Sequence, residues 1–597
     1  ENIYGGASAG SGDVTGNTVT LTGGTVTGAV YGGYTAGAGK TTGNTVNLGD
    51  GTAATLAADS NLENAALYGG SDAGNLTGNT LNVMVKDTAV KSAQNLENYT
   101  FHLTDYIAAD KPSSGAIDDS FTASRGTMLT LKGTDGFGGQ TVDWNKVTID
   151  TSKLSADKTL GAITLLKSDA AGKLKFSNYA AKGPATGDVS GDYEIVQRTD
   201  TNTGEATSVL IDVNRFRNGD VIYDGVNNAK TYSGVSYGGH TAENNKFTLK
   251  NIAVGKTIQY LSGGRSEGTA GGAVKNTVTL LGTGEGTLEE VYGGYIGSAA
   301  NAASATENTV NIAGGTAKNI YAGYTNGTGK TTGNTVNIGY TDAAGVFHDV
   351  AAGASVTGVL AGGSDDADAT GNTLNVSGRL TAGKIKNFEN INFHVKDTMA
   401  GGTTLLKLNG TAATEGLDWA KVTLDGAITP AVKSYEAYRL TLMANENGID
   451  FRKGGVDTYA PLGAKGQTAG DYEYVMDTDT QAAQAKAVHA DIYRFRGNTA
   501  MYSEADGTHA AAWGGRSVLG NDATGNTLSI TGGTLTEAYG GWSTGTKADG
   551  TQGKTTGNTV NFTGGTVTGT IYGGSNDATG NTLNVTGTQS AGDIKNF

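Results

Sequence analysis

The chain contains no cysteine and only 4 prolines among its 597 residues. The lack of cysteine excludes a disulfide framework, a thiolate-ligated zinc site and a thiol nucleophile. The sequence also lacks an apolar run of about 18 residues, so we expect no membrane-spanning helix. Stability must therefore come from side-chain packing and from backbone hydrogen bonds.

Positive charge is also scarce. There are 42 Lys and Arg residues against 57 Asp and Glu residues, which gives a formal net charge of −15. Nucleic acids and anionic membranes select basic surfaces, so we expect no nucleic-acid partner and no membrane insertion by this chain. The histidines show no His-x-x-x-His spacing and the calcium-binding nonapeptide repeat is absent, so we predict no metal and no cofactor.

Glycine, in contrast, is abundant, with 96 residues, and much of it belongs to a repeat first seen in Thr15 to Tyr34, TGNTVTLTGGTVTGAVYGGY. Its Asn-Thr-Val/Leu half recurs at Asn17, Asn44, Asn79, Asn276, Asn308, Asn334, Asn372, Asn526, Asn558 and Asn581, with a diverged copy at Asn245. Its aromatic-Gly-Gly half recurs at Tyr4, Tyr31, Tyr68, Tyr237, Tyr292, Trp513, Tyr539 and Tyr572, with variants at Ser262, Tyr321 and Ala361. A short motif that returns at a near-constant interval is typical of solenoids and other repeat arrays.

Each repeat reads as short strands separated by turns. In Asn44 to Leu48, Val46 and Leu48 share one face while Thr45 and Asn47 share the other, which is the alternation of a half-buried strand. We interpret Gly32-Gly33 as a corner in which φ can be positive. The pattern predicts an all-β fold, a parallel β-helix (β-solenoid) whose successive rungs lie about 4.8 Å apart.

The asparagine of the Asn-Thr-Val motif has two possible roles. It has the same parity as the inward valine two residues later, so stacked copies can form an amide ladder between rungs. Asparagine also tolerates left-handed backbone and bonds its own backbone, which would make it a turn residue. The sequence leaves both interpretations open.

A longer module interrupts the repeats twice. The segment 95–103 matches 387–395, and Asp143-Trp144, Gly191-Asp192-Tyr193-Glu194 and Arg215-Phe216-Arg217 recur in the same order in the second copy. We therefore divide the chain into short-repeat arrays at 1–93, 228–385 and 499–597 and β-rich modules at 94–227 and 386–498. Because the chain starts in mid-repeat and 591–597 repeats 382–388, we interpret it as a fragment.

Comparison of the two modules also predicts a local structure. Gln481 to Ala490, QAAQAKAVHA, favours helix by composition. The matching segment, Asn202 to Ile211, reads as a turn followed by a β-branched run. Two copies of one module should share a backbone, so we predict a β-hairpin in both.

The arrays, together with segments such as Ile385 to Phe393 and Gly126 to Leu131, resemble the passenger domains of type V autotransporters, which are surface proteins of Gram-negative bacteria. The resemblance covers essentially the whole chain. It implies a right-handed β-helix, export to the bacterial cell surface or the extracellular space, and anchoring by a C-terminal barrel outside this sequence. It also implies an adhesin-like role without specifying a ligand.

The position directly after Gly-Gly is our candidate for a binding surface. It varies more than a packed core position should, and exposed Tyr, Trp and Arg are favoured in recognition surfaces. The alternative is that each side chain covers the neighbouring repeat as a lid. The residues at this position are Tyr34, Ser71, His240, Arg265, Tyr295, Tyr324, Ser364, Arg516, Trp542 and Ser575.

We predict no catalytic residues. The GxSxG matches at Gly6 to Gly10 and Gly234 to Gly238 lack the following helix that a nucleophile elbow needs. Acidic residues precede several Gly-Asn-Thr-Leu motifs, where their recurrence favours a turn role over an active site. These residues are Asp72, Asp365, Asp366, Asp368 and Asp577.

The sequence therefore predicts an adhesin or structural passenger segment that presents an elongated surface and is not an enzyme. Its partner would be a host or bacterial surface protein, a glycan, or a second copy of the chain. The alternative is a β-helical polysaccharide-processing enzyme, which would need a pair of carboxylates on one face.

Overall fold

A computed structural model describes residues 1–108, 126–154, 162–169, 174–180, 188–225, 231–364, 369–396, 399, 404–411, 414, 416–426, 428, 430–547 and 549–597. The chain divides into two compact units. One unit comprises Glu1–Val310 and Tyr321–Asn334, and the other comprises Asn311–Ile320 and Thr335–Phe597.

The chain is all-β, with many parallel sheets. The Asn-Thr-Val motifs form short strands in which the predicted alternation is confirmed: Val46 and Leu48 are fully buried and Thr45 and Asn47 are partly exposed. Residues at equivalent repeat positions pair in parallel without offset, as in Val19 with Val46. The strands of this kind and those paired with them are Thr18–Leu21, Thr45–Leu48, Thr80–Val83, Asn98–Thr104, Asp220–Tyr223, Lys246–Leu249, Thr277–Leu280, Thr309–Ile312, Thr335–Ile338, Thr373–Val376, Asn390–His394, Val422–Asp425, Thr499–Tyr502 and Thr582–Val585.

The Gly-Gly pairs lie within a second set of parallel strands. In two places one long strand, Thr527–Ser543 or Thr559–Gly574, contains both motifs. The remaining strands of this set, with those that pair with them, are Ile3–Ser8, Ala29–Thr35, Ala66–Gly70, Ser92–Gln94, Tyr232–Ser236, Thr257–Ser266, Thr287–Ile296, Asn319–Thr325, Ser355–Gly363, Leu380–Lys386, Thr508–Ser517 and Ser590–Lys595.

The prediction that Gly32-Gly33 forms a corner is wrong. Both glycines lie inside the strand Ala29–Thr35, and neither has a positive φ. A Cβ on Gly33 would lie 2.5 Å from Nδ2 of Asn44, and one on Gly32 would lie 2.7 Å from the carbonyl oxygen of Gly69. Glycine is required here because the next repeat approaches the backbone too closely for any side chain.

Short strands complete the arrays. The backbone turns at other residues, such as Gly24 and Gly43, which do have positive φ. The two-residue strands are Ala242–Glu243, Ala273–Val274, Ala305–Thr306, Thr316–Ala317, Thr555–Thr556 and Ala578–Thr579, and a small antiparallel pair is formed by Tyr340–Thr341 and Phe347–His348.

The longer modules contain antiparallel as well as parallel strand pairs. In the first module the strands are Thr127–Leu131, Val142–Asp143, Val147–Lys153, Ala162–Ser168, Leu174–Ser177, Asp188–Ser190, Tyr193–Thr199, Glu205–Ala206 and Ser208–Arg215. Thr88–Val90 of the preceding array pairs in parallel with Thr127–Leu131. In the second they are Thr404–Leu408, Tyr438–Asp450, Arg452–Lys453, Val456–Asp457, Lys465–Ala469, Tyr472–Thr478 and Gln484–Arg494. Helical structure in the described residues is limited to single turns at Asp105–Ala108, Trp144–Lys146, Trp419–Lys421 and Glu504–Asp506.

The predicted hairpins are confirmed in both modules. Tyr193–Thr199 pairs antiparallel with Ser208–Arg215, and Tyr472–Thr478 pairs antiparallel with Gln484–Arg494. Val488, Ala490 and Ile492 are buried on alternate positions, as a strand requires. Packing against the neighbouring strand therefore overrides the helix preference of this alanine-rich segment.

A ladder of buried asparagines joins consecutive repeats. The backbone N–H and the Nδ2 of Asn17 both donate to Oδ1 of Asn44, each at 3.0 Å, and Asn44 donates in the same way to Asn79. The same pattern links Asn245, Asn276, Asn308 and Asn334, and separately Asn526, Asn558 and Asn581. Asn498 donates its backbone N–H to Oδ1 of Asn526, but its Nδ2 donates to the carbonyl of Gly514.

The ladder decides between the two interpretations of this motif. Asn44 and Asn276 are fully buried, and neither has a positive φ. The left-handed residue is the one before the asparagine, Gly43 or Lys275. The asparagine is therefore a bridge between repeats, and its neighbour makes the turn.

Candidate functional site

The two residues that flank each Gly-Gly pair face the same side of their strand. Along Ala29–Thr35, Val30, Gly32, Gly33 and Thr35 are buried while Tyr31 and Tyr34 are partly exposed. Two consecutive buried glycines shift the alternation by one residue, and the rings of Tyr31 and Tyr34 meet edge to face with centroids 5.2 Å apart. We call the position before Gly-Gly the first column and the position after it the second column. The first-column side chain is outward in this strand, whereas Ser262 and Tyr292 at the same position of the second array are buried.

In the first array, the first column is a stack of tyrosines. Tyr31 is stacked between Tyr4 and Tyr68, with ring centroids 5.6 and 4.7 Å apart. Tyr34 of the second column packs against Tyr4 and Tyr31. The next residue of this column, Ser71, accepts a hydrogen bond from the backbone of Thr35 at 3.0 Å. At this end the second column contains one aromatic residue.

In the second array, three of the predicted residues stand in line. Arg265 is in register with Tyr295, and its guanidinium carbon lies 5.3 Å from the Tyr295 ring centroid. Tyr295 stacks on Tyr324 at 5.6 Å with an interplanar angle of 11°. Burial, followed by the charge of Glu267, raises the pKa of Tyr295 above its ordinary value. These three side chains are partly exposed and form a continuous strip.

His240 does not belong to this strip, so its placement by sequence is wrong. The strand register pairs Tyr232 with Ser262 and Val235 with Arg265, which makes Tyr232-Ser233-Gly234-Val235 the true copy of the motif. The imidazole of His240 instead stacks on Phe216, with ring centroids 5.3 Å apart. The Tyr237-Gly238-Gly239 match misled the sequence comparison because it lies five residues downstream of the true copy.

In the third array, Arg516 and Trp542 are in register within the second column. The guanidinium carbon of Arg516 lies 4.3 Å from the Trp513 ring centroid, 4.8 Å from that of Trp542 and 5.0 Å from that of Tyr493. Burial lowers the pKa of the Arg516 guanidinium, yet an arginine keeps its charge at neutral pH. Next in the column, Ser575 accepts a hydrogen bond from the backbone of Ser543 at 2.9 Å.

Sequence comparison missed the groups that hold these columns in place. Tyr493 comes from the module hairpin, and nothing in the repeat pattern places it beside Arg516. The buried Glu473 of the same hairpin accepts hydrogen bonds from the Ser517 hydroxyl and from the backbone of Val518 and Leu519. In the first module, Glu194 accepts likewise from the Ser236 hydroxyl at 2.7 Å. The sequence signal was available, since both glutamates belong to the repeated Gly-Asp-Tyr-Glu motif.

The serine of the GxSxG match at Gly234 to Gly238 is Ser236, and it has a structural role. Ser236 is fully buried, ends the strand Tyr232–Ser236, and donates its hydroxyl hydrogen to Glu194. The segment that follows has no helix, so the strand-to-helix turn of a nucleophile elbow is not formed there. The other serine, Ser8, lies in a strand and interacts with the backbone of Gly10.

Among the predicted acidic loop residues, Asp72 accepts a hydrogen bond from the backbone of Gly74 at 2.8 Å, which is a local turn interaction. Asp577 has a positive φ and its carboxylate lies 3.6 Å from Nζ of Lys554. Asp365, Asp366 and Asp368 lie outside the described residues. Within the described ranges, no three His, Asp or Glu side chains form a group that could hold a metal.

No helix in the described part of the chain is both long and apolar enough to cross a membrane. No protein-family model, no curated protein and no solved structure matches this chain.

Proposed function

We propose that this chain is part of an adhesin or structural passenger of the bacterial cell surface, of the type V autotransporter kind. In this proposal the parallel stacks are rungs of a right-handed β-helix, and the chain acts by presenting a surface. Its partner is a surface protein or glycan of a host or bacterial cell, or a second copy of the chain.

The observation that carries the proposal is the in-register strip of Arg265, Tyr295 and Tyr324. Side chains of these types contribute most of the binding energy in many interfaces. Stacking against each other already restricts their rotamers, so little side-chain entropy remains to be lost on binding. A rigid aromatic strip on a repeating framework is therefore suited to recognition.

Binding of the purified chain to immobilised glycans and to whole bacterial and host cells tests this proposal. We expect the double variant Tyr295→Ser/Tyr324→Ser to lose at least about ten-fold in affinity, since each interfacial aromatic contributes on the order of 1–2 kcal/mol. Tyr260→Ser is the matched control, because Tyr260 lies in the same array, on the strand that carries Arg265 but outside both columns, and is 48% exposed.

Three outcomes would count against the proposal. One is the absence of any binding to cells, glycans or itself, with sedimentation showing a monomer at every concentration. Another is equal loss of binding in the Tyr260 control and the double variant. The third is release of reducing ends from a polysaccharide, which would favour a processing enzyme instead.

A further inference from the structure

Arg516 and Arg265 occupy equivalent positions in two arrays but differ in whether a carboxylate two residues later pairs with the guanidinium. Nε and Nη2 of Arg265 donate to the same carboxylate oxygen of Glu267, at 2.9 and 2.6 Å. The residue two positions after Arg516 is Val518, so no such carboxylate is supplied. The same column position therefore carries a neutralised arginine in one array and an arginine without this partner in the other.

One donor of Arg516 and one donor of Trp513 lack acceptors. Nε of Arg516 and Nε1 of Trp513 are both buried and have no hydrogen-bond partner. A buried donor without an acceptor is destabilising, and more so when it carries charge. Because both residues line the same small cavity, an acceptor from outside the chain that entered this cavity would be stabilised.

The nearby carboxylates are already engaged. Glu473 accepts from Ser517, Val518, Leu519 and Asn521. Asp491 is held by Nε and Nη2 of Arg439, at 2.6 and 2.7 Å. Neither of them hydrogen-bonds Arg516, although both act on it electrostatically.

The space beside Arg516 has the size and charge for one oxygen atom of an anion. Trp513, Arg516, Tyr493, Arg494 and Lys433 line a cavity of about 10 Å³, which is roughly what one water-sized group needs. Among its charged lining residues, three are cations and the one anion, Glu436, is paired with Lys433 at 2.7 Å. This cationic lining contrasts with the chain as a whole, whose net charge is −15.

We propose that this site binds the carboxylate of an acidic sugar, such as a sialic or uronic acid residue of a glycan. One carboxylate oxygen enters the cavity and accepts from Arg516 and Trp513, which is the strong charge-assisted type of hydrogen bond. The ring of the sugar lies against the partly exposed indoles of Trp513 and Trp542, whose centroids are 5.7 Å apart. This inference rests on the proposed binding function and names its ligand class.

Tryptophan fluorescence and calorimetric titration test the site, because Trp513 and Trp542 are two of the 4 tryptophans in the chain. The probes are N-acetylneuraminate, glucuronate, neutral glucose and inorganic sulfate. We expect both carboxylated sugars to bind and to change the fluorescence, and glucose and sulfate to bind at least ten-fold more weakly. Binding should weaken as salt is added, as for other partly exposed charge pairs.

Variants of two arginines provide the comparison. Arg516→Gln should weaken binding of the carboxylated sugars at least ten-fold. Arg452→Gln, which alters an arginine that is 41% exposed and paired with Asp450, should change it less than two-fold. Arg516→Lys keeps the charge but loses the planar fork, so it should give an intermediate affinity and serves as the second variant if Arg516→Gln fails to fold by circular dichroism.

The outcomes separate this inference from the broader function. Equal affinity for glucose and glucuronate, or equal loss of affinity in Arg516→Gln and Arg452→Gln, overturns the acidic-sugar site while leaving the proposed role of the aromatic strip untouched. Preference for a peptide carboxylate over every sugar also overturns it. Failure of the chain to bind any cell, glycan or second copy removes the proposed function itself.

Discussion

Nδ2 of Asn44 lies 2.5 Å from the point that a Cβ on Gly33 would occupy. The same relationship recurs between Gly264 and Asn276 and between Gly515 and Asn526, where a Cβ would meet the asparagine amide at 2.3 Å. The Gly-Gly and Asn-Thr-Val/Leu motifs therefore act together, because the glycine leaves room for the asparagine amide of the next repeat.

Replacement of Gly33 by alanine should destabilise this array. The new methyl would overlap the Asn44 amide and force the ladder to shift, which costs about 1–3 kcal/mol for overpacking and more if a hydrogen bond is lost. Hydrogen exchange of Thr45–Leu48 measures the effect. Gly10→Ala is the control, because a Cβ there meets no atom within 4 Å. Unchanged protection in Gly33→Ala would contradict the proposed role of the glycine.

Removal of one ladder amide should be costly. Asn276 accepts from Asn245 and donates to Asn308 and to the carbonyl of Ala242. Asn276→Ala leaves these buried groups unpaired, so we expect a loss of about 2–4 kcal/mol in the free energy of unfolding, measured by urea denaturation. Asn47→Ala removes a partly exposed amide that bonds to Thr20 and Asn82, and its cost should stay below about 1 kcal/mol. Similar losses of stability in the two variants would contradict the proposed contribution of the Asn276 amide.

The hairpin of the second module should depend on Glu473 for its attachment to the following strand. Glu473→Gln replaces one acceptor oxygen by an NH₂ group facing the donors of Ser517, Val518, Leu519 and Asn521. We expect a loss of about 2–3 kcal/mol and faster proteolysis of this region. Glu446→Gln is a suitable control, since the Glu446 side chain is 91% exposed. Equal protease resistance in both variants would rule out this attachment.

Lys465 should make the stability of the second module depend on pH. Its Nζ donates to the carbonyls of Trp419 and Val422, and burial lowers its pKa from 10.5 to about 8. Between these two values the unfolded chain binds the proton more tightly than the folded chain, so the free energy of unfolding should rise with pH across that window. Below pH 8 both states are protonated and the cost of burying the charge is fully present.

Urea denaturation at pH 7 and pH 10 measures this dependence. Lys465→Met should show a smaller rise than the unmodified protein, whereas Lys486→Met, which alters a side chain that is 64% exposed, should show the same rise. Comparison of variants is needed because tyrosines also titrate near pH 10. A rise that is identical in Lys465→Met and the unmodified protein would contradict the assignment.

Much of the local structure was predictable because the sequence repeats. Alternation identified strands such as Thr45–Leu48, and comparison of two modules corrected the helix preference of Gln481 to Ala490. Within the candidate site, the order Arg265, Tyr295, Tyr324 followed from the same repeats. These predictions depend on the spacing and the number of the repeats, and both can be read from one sequence.

The sequence-based predictions were wrong where tertiary contacts determine the local structure. Gly32-Gly33 resembles a turn in sequence, and only the Asn44 amide of the next repeat explains it. His240 follows a Gly-Gly pair that is out of register with the array. The carbonyl of Val147 is bonded by Gln197 in the first module, and the carbonyl of its counterpart Val422 by Lys465 in the second, from a different strand. When a hydrogen bond to the same carbonyl comes from non-equivalent positions in the two modules, aligning the modules does not reveal it.

The asparagine ladder also bears on how the length of an array can change. The partners in the ladder are separated by as few as 23 residues, from Asn558 to Asn581, and by as many as 35, from Asn44 to Asn79, yet they meet through the same pair of hydrogen bonds. Because the pair of hydrogen bonds is the same at both spacings, the loop between two ladder asparagines can lengthen without changing it. A duplicated or deleted repeat would contact its new neighbour through the same asparagine hydrogen bonds. The number of repeats can therefore vary while the contact between repeats stays the same.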